Sequence, residues 1–538
     1  MNRLLHNIGR VNQNAEILIH PLSLSSCTAS VEKHIRRVSG ADALALLLFV
    51  FFLLLVGSGD GWLRMPAHRT DVAWFFMAGK SWMSGLIPYV DFTDSKGPLL
   101  WLIYGLGYLI SPHNLYGVFP FEVLFYWLAF LFLYKTALLF LKVHGAALAS
   151  SILMGMAFFW PGMHQEFLFE DYGQLFNAVT LYVLAKGMIA KKSGKYDGLW
   201  MGLICGAALM MKYSAFLTLL VPAFFMFLFL IVHKKAWLSY LLLFIAGLAL
   251  TVLPFLIYLG VKGALRAFIS EYFFNTYSTI ANITREEEGG RLAFFAVWPM
   301  SGLKLYFKDH FISTFLWISL VGMGLSCYFF RKSKWLVLTL ILWYATQWMQ
   351  STMVGMKHLN YFLGLAVFLY GAIMWIMERF PKMGRDGAFI SGACVIAFLA
   401  FSSSFNSDDE FYLTSNDREM GRTLEKVAYI VNAREKELGR RPTLSYYHSG
   451  EKGEHILTNV VAGTRYWSVQ AGMTPEMMRE HEKEIFLKHP DFVIIKESER
   501  EGIEKLEADG YVHVYSYELS PGIFAPGTDV SCLFLYNP

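Results

Sequence analysis

The chain has 538 residues, of which 55% are hydrophobic, 17% aromatic and 16% charged, with a formal net charge of +4. Soluble domains carry roughly 25% charged residues, and a soluble chain of this length would need more charge to cover its cores. The composition therefore excludes a soluble enzyme, a disordered chain and a disulfide scaffold, and the small, dispersed charge gives no reason to expect a nucleic-acid partner. What it implies is an α-helical polytopic membrane protein. The five cysteines show no CxxC or Cys/His metal spacing.

Taken in chain order, the N-terminal tail carries Arg3, Arg10, Lys33, Arg36 and Arg37 and has no apolar run before residue 41. No cleavable signal is expected, and the first span should remain as an anchor. A span needs about 20 mostly apolar residues. Spans are expected near 41–57, 116–141, 145–162, 172–190, 197–212, 214–232, 237–259, 311–330, 335–350, 358–377 and 388–404, eleven in all. The apolar stretch Pro98–Ile110 has only 13 residues, including Gly105 and Gly107, which is short for a span.

Basic loops settle its status. Lys191, Lys192 and Lys195, then Lys234 and Lys235, then Arg331, Lys332 and Lys334, and last Arg379, Lys382 and Arg385 punctuate the spans. All four clusters share the cytoplasmic side with the basic tail only if Pro98–Ile110 does not cross. That stretch is therefore read as an interfacial or re-entrant helix on the outer face. Eleven spans then place the C-terminus outside. After residue 405 the composition becomes that of a soluble segment. Helices are expected at Glu419–Leu438, Pro475–Leu487 and Glu501–Ala508. Strands are expected at Thr443–Tyr447, Phe492–Lys496, Tyr511–Tyr517 and Cys532–Tyr536. The alternation suggests a small α/β domain.

The first outer loop holds the chemistry. Asp71 opens a helix whose Trp74, Phe75, Met77 and Trp82 suit a membrane surface. Asp91, Asp94 and Lys96 follow a turn at Gly85–Pro88, and Arg64, His68 and Arg69 precede the helix. A carboxylate there can take the proton of an attacking hydroxyl or amine. Cationic side chains can hold a lipid phosphate and stabilise it as it leaves.

In order and sidedness, Asp71, Ser84-Gly85, Lys96-Gly97-Pro98 and Asn114-Leu115-Tyr116-Gly117 resemble the first outer loop of the GT-C superfamily of integral-membrane glycosyltransferases. The likeness is to the branch holding the aminoarabinose transferase and the protein O-mannosyltransferases. Gly202 to Met211 followed by Lys212 and Leu219-Leu220-Val221-Pro222 resembles that branch's glycine-rich short span ending in Thr-Lys. Lys357-His358-Leu359-Asn360-Tyr361-Phe362-Leu363 is similar to its late His-Tyr-Phe-Leu step, with Asn360 where the family has His. Pro120 and Glu122 stand where the family carries Arg.

The resemblance implies an inverting glycosyltransferase using a polyprenyl-phosphate-linked sugar at the outer face of a bacterial inner membrane. A lipid, glycan or protein would be the acceptor. Asp71 would be the base, and Lys96 and Lys212, with Arg64 or Arg69, would hold the donor phosphate. Asp171, Glu170 or Glu166 would act as a secondary acid or orient the acceptor. Asp91, Asp94, Lys357, His358 and Tyr361 are further candidates. No metal and no cofactor is assigned.

Plainer readings stand beside these. Asp71 can cap its helix, a lone lysine can anchor at the interface, and acids at a span end can be ordinary polar termini. A transporter or lipid-linked glycan flippase is the rival class. It would show paired polar residues within spans and often an inverted repeat. The domain division expected is a cytoplasmic tail at 1–40 and a catalytic transmembrane module at 41–260 including the outer loop 58–115. An outer loop with further spans follows at 261–404, and an outer α/β domain at 405–538.

Overall fold

The structure is a computed structural model that describes residues 38–56, 70–160, 168–190, 196–275, 310–352, 359–380, 382–405, 415–448, 454–468, 473–518 and 530–537. It is mostly helical, with one small sheet near the C-terminus. In chain order, the helices of the apolar part are α1 (Gly40–Val56), α2 (Thr70–Met83), α3 (Pro98–Ile110), α4 (Phe119–Leu138), α5 (His144–Phe158), α6 (Phe169–Met188), α7 (Asp197–Met211), α8 (Tyr213–Val232) and α9 (Trp237–Val261). A short α10 (Leu265–Phe268) runs into a π-helical turn, Ile269–Asn275. Then come α11 (His310–Phe329), α12 (Lys334–Thr352), a 3-10 stretch Leu359–Leu369 leading into α13 (Tyr370–Met377), and α14 (Arg385–Phe405).

A helix lies at every position where the sequence predicts a span. Among the described residues three helical stretches, Leu115–Leu138, Tyr213–Val232 and Trp237–Val261, are long and apolar enough to cross a membrane by length and composition. α9 leaves Leu242, Leu250 and Ile257 exposed, an apolar surface suited to lipid rather than water. Its other side lies on α7 at very short range. Gly198 and Gly202 on α7 face the Tyr240 and Phe244 carbonyls, and a Cβ at Gly202 would stand 2.0 Å from the Phe244 oxygen. Small residues at such a crossing let backbones approach, the usual way helices associate where no hydrophobic drive remains.

Contacts at the helix ends sort into two ends of the bundle. At one end the starts of α1, α5 and α14 meet: Arg385 Nε lies 3.0 Å and His144 Nδ1 3.9 Å from Asp42 carboxylate oxygens. The start of α12 joins them near the end of α6, where Ser333 Oγ donates to the Met188 carbonyl. At the other end lie the start of α6, the α7–α8 junction and the 3-10 stretch, joined through Glu170, Lys212 and Tyr361. α3 begins against the α7–α8 junction, where Gly97 N donates to the Met211 carbonyl at 2.9 Å. It ends on the turn Leu115–Gly117 that feeds α4, whose Tyr126 hydroxyl donates to Asp171. Both ends of α3 thus belong to one end of the bundle, as expected of an interfacial helix.

The C-terminal part folds as α15 (Ser415–Leu438), β1 (Thr443–Tyr447), β2 (Val461–Ala462), α16 (Pro475–Lys488), β3 (Phe492–Lys496), α17 (Arg500–Ala508), β4 (Tyr511–Glu518) and β5 (Val530–Tyr536). The sheet order is β2-β1-β3-β5-β4. β1 is parallel to β2 and β3, and β5 is antiparallel to both β3 and β4. β3 reads Phe-Val-Ile-Ile-Lys and is buried along its apolar run, as a central strand covered on both faces should be. The two-residue β2 was not expected from the sequence; it has too few residues to show an alternating pattern.

Candidate active site

Asp71 sits in the first turn of α2 and is exposed, whereas the residues that follow it, Val72 to Ala78, are buried. The loop after α2 turns at Gly85, at φ +98°. Tyr89 then takes a left-handed backbone conformation at φ 67° and packs its ring 4.8 Å from Trp101 and 5.0 Å from Phe268. Its hydroxyl donates to the Lys96 carbonyl at 3.1 Å, so a buried aromatic fixes the backbone of the lysine. Asp91 accepts from the Ile87 amide at 2.7 Å and closes the preceding turn. Asp94 is buried and accepts from the Ser95 amide at 2.5 Å.

Gly97 explains how two distant lysines meet. A Cβ there would stand 2.2 Å from the Met210 carbonyl oxygen and 2.9 Å from the Met211 amide nitrogen. Only glycine lets the Lys96–Gly97 backbone lie against the last residues of α7, one residue before Lys212. Lys212 itself is extended, at φ −154° and ψ 104°, in the break between α7 and α8. Its ammonium lies 2.5 Å from Glu170 Oε1 and 4.1 Å from the centre of the Tyr361 ring. A cation over an aromatic face is held by the ring quadrupole.

Lys96 lies within electrostatic reach of Asp94, Asp71, Tyr361 and Glu170. Burial works against its charge, but the neighbouring acids more than offset this and hold its pKa above the ordinary lysine value. Glu170, Lys212 and Tyr361 therefore meet from the start of α6, the α7–α8 break and the 3-10 stretch. The Lys96–Gly97 backbone lies against that break, and the Lys96 ammonium lies 5.6 Å from the centre of the Phe75 ring, one turn along α2 from Asp71. Asp171, next to Glu170, faces α4. Its carboxylate accepts from the Tyr126 hydroxyl at 2.9 Å and from the Leu168 amide at 3.1 Å, tying the start of α6 to α4. Arg64, Arg69, Glu166, Lys357 and His358 lie outside the described residues.

The C-terminal part is clamped onto α2, a contact with no local signature in the sequence. Lys80 is fully buried and donates to the carbonyls of His455 and Thr458, each at 2.8 Å. Burial, with Arg441 nearby, lowers its pKa well below the usual lysine value. His455 is buried with Nε2 2.7 Å from the Ala73 carbonyl, two residues from Asp71. Burial and the Lys80 charge push its pKa down to about 3, against the pull of that carbonyl. Trp467 packs on Trp74 at 4.5 Å, the Thr93 amide donates to the Arg465 carbonyl at 2.9 Å, and the Ala462 amide to Ser81 Oγ at 3.0 Å. Arg465 and Tyr466 both bind Glu271 on the π-helical turn. A cleft lined by Trp74, Asp94, Glu271, Tyr466 and Ser468 opens between these parts.

Residues 95–259 match the family model for dolichyl-phosphate-mannose-protein mannosyltransferases. No curated protein sequence matches the chain. Among solved structures, the chain is similar to ArnT from Cupriavidus metallidurans in the apo state. The identity is 10%, covering 92% of this chain and 98% of that one, with a TM-score of 0.42. The same protein bound to undecaprenyl phosphate gives 11% identity, 91% and 97% coverage and a TM-score of 0.41. The GT-C resemblance seen in the sequence is borne out by the family match, which spans Lys96, Glu170 and Lys212.

Proposed function

We propose that the protein is an inverting glycosyltransferase that moves a sugar from a polyprenyl-phosphate donor to a lipid, glycan or protein acceptor at the outer face of a bacterial inner membrane. What supports this reading is that Lys212, Glu170 and Tyr361 meet at one end of an apolar bundle, with Lys96 on the adjoining backbone and over Phe75, one turn along α2 from the exposed Asp71.

The donor phosphate would lie between Lys96 and Lys212. Glu170 uses one of the three ammonium donors of Lys212 and fixes its position, leaving donors for phosphate oxygens. Asp71 would take the proton of the acceptor hydroxyl or amine as its heteroatom attacks the anomeric carbon. The bond from that carbon to the phosphate oxygen breaks on the opposite face, and the electron pair leaves with the phosphate. Paired with two ammonium groups, the phosphate is a good leaving group, so one base and a cationic clamp suffice. The acceptor would enter by the cleft between Trp74, Asp94 and Tyr466. The C-terminal part, packed on α2, would lie on the same side as the first loop.

The experiment is mass spectrometry of lipids and surface glycans from a strain lacking the protein. The expected result is a missing sugar together with an accumulating polyprenyl-linked donor. Unchanged lipids and glycans would overturn the proposal.

A further inference from the structure

Directly beneath Glu170 and Tyr361 the bundle opens into a narrow cleft. Its polar lining comes from three helices: Gln174 and Asn177 on α6, Thr218 on α8, and Gln347 and Gln350 on α12. Polar side chains within membrane helices are costly and either pair with one another or face a polar passenger.

Pairing accounts for part of this set. Gln347 Nε2 lies 3.2 Å from Thr218 Oγ1 and 3.5 Å from Asn177 Oδ1, and Gln350 Nε2 donates to Ser214 Oγ at 3.2 Å. Such bonds also serve as glue between helices. They leave Gln174 unexplained. It is 1% exposed, and its Nε2 donates to the Glu170 carbonyl at 2.9 Å, but its Oε1 has no partner among the described residues. A buried acceptor left unpaired is destabilising, so helix association alone is a poor reason to keep it. Across the cleft stands Gly364, where a Cβ would come 2.7 Å from Gln347 Oε1. A side chain there would close the space over the amide.

We propose that this cleft receives the hydroxyl groups of the transferred sugar and selects an uncharged, hydroxyl-rich one. The inference rests on the donor reading above and names the donor's sugar class. Carboxamides and hydroxyls both donate and accept, as sugar hydroxyls do. The one carboxylate in the lining, Glu170, is already bound to Lys212. No counter-charge is therefore offered to an amino sugar or a uronic acid, and burying such a charge unpaired is strongly unfavourable. The cleft adjoins the phosphate clamp through Glu170 and Tyr361, so a sugar on the phosphate would point into it.

The test uses the full protein in lipid nanodiscs and measures binding of two kinds of lipid. One is bare undecaprenyl phosphate. The other is undecaprenyl phosphate carrying glucose, mannose, galactose or 4-amino-4-deoxyarabinose. At least one neutral hexosyl lipid should bind the wild type about tenfold or more tighter than the bare carrier, the scale set by one or two added hydrogen bonds. Gln347→Leu and Gly364→Ala should each erase that increment and leave binding of the bare carrier unchanged. The inference is overturned if no hexosyl lipid binds better than the carrier, if the amino-sugar lipid binds best, or if the variants weaken both lipids in parallel. If the wild type binds no bare undecaprenyl phosphate, the donor reading itself falls, and this one with it.

Discussion

Gly97→Ala tests the geometry of the site without touching a charged group. The added Cβ would meet the Met210 carbonyl oxygen at 2.2 Å and its carbon at 2.4 Å, whereas ordinary contact begins at 3.4 Å. Both obstacles are backbone at a helix end, so neither can swing aside as a side-chain tip would. The Lys96 segment must retreat from Lys212 by roughly 1 Å, and the Gly97 N–H bond to Met211, now 2.9 Å, would stretch or break. Overpacking of this kind costs about 1–3 kcal/mol, and a misplacement near 1 Å can lower a rate by about 10²-fold. The assay is transfer from a polyprenyl-phosphate sugar, run beside thermal unfolding of the same nanodisc samples. The expected outcome is a rate loss on that scale in protein that still unfolds cooperatively. A Gly97→Ala protein as fast as wild type would refute the claim that close contact of these backbones sets the lysine pair.

Lys212→Met should weaken binding of undecaprenyl phosphate by about tenfold or more, a charge-assisted contact being worth about 1.5–3 kcal/mol; titration in nanodiscs checks it. Lys80→Met should loosen the C-terminal part, because the His455 and Thr458 carbonyls lose their donor; limited proteolysis should cut faster between residues 405 and 460 than in wild type. Docking should also weaken in acid. His455 and His481 are held neutral by burial, with pKa values pushed down to about 3 and about 4. Above an ordinary histidine pKa of about 6.5 neither form of the chain binds these protons, so stability is full there. As pH falls below that value the unfolded chain takes protons that the folded one refuses, and stability drops by up to about 1.4 kcal/mol per pH unit for each histidine. Hydrogen exchange of the C-terminal sheet between pH 7 and pH 5 reads this, and His455→Gln should reduce the slope.

Much of the framework was legible in the sequence because apolar run length and basic loops are strong, local signals. Pro98–Ile110 begins and ends as a helix where its composition changes. In the C-terminal part β1 and β3 match their expected bounds. Candidate site residues stood out in the sequence as charge against apolar surroundings: Asp71, Lys96 and Lys212 are each conspicuous, and the structure lays the Lys96–Gly97 backbone against the residues just before Lys212. Asp171 and Glu170 are neighbours with the same chemistry, yet one faces α4 and the other Lys212. That difference is a matter of helix rotation, which adjacent identical charges do not encode. The clamp on α2 was invisible for another reason. Lys80 and His455 are separated by 375 residues, and their partners are backbone carbonyls, which every residue carries. The carboxamides of the cleft are scattered over α6 and α12, and only packing shows that they line one space.

The central claim is that Asp71 takes the acceptor's proton while two lysines hold the departing phosphate. It is tested most directly by transfer kinetics of Asp71→Asn with the donor identified in the knockout lipids. Asparagine keeps the size of the side chain and the helix start but cannot accept the proton. Turnover should fall by about 10²–10⁴-fold, the usual contribution of a general base, with binding of undecaprenyl phosphate unchanged. Turnover close to wild type would contradict it.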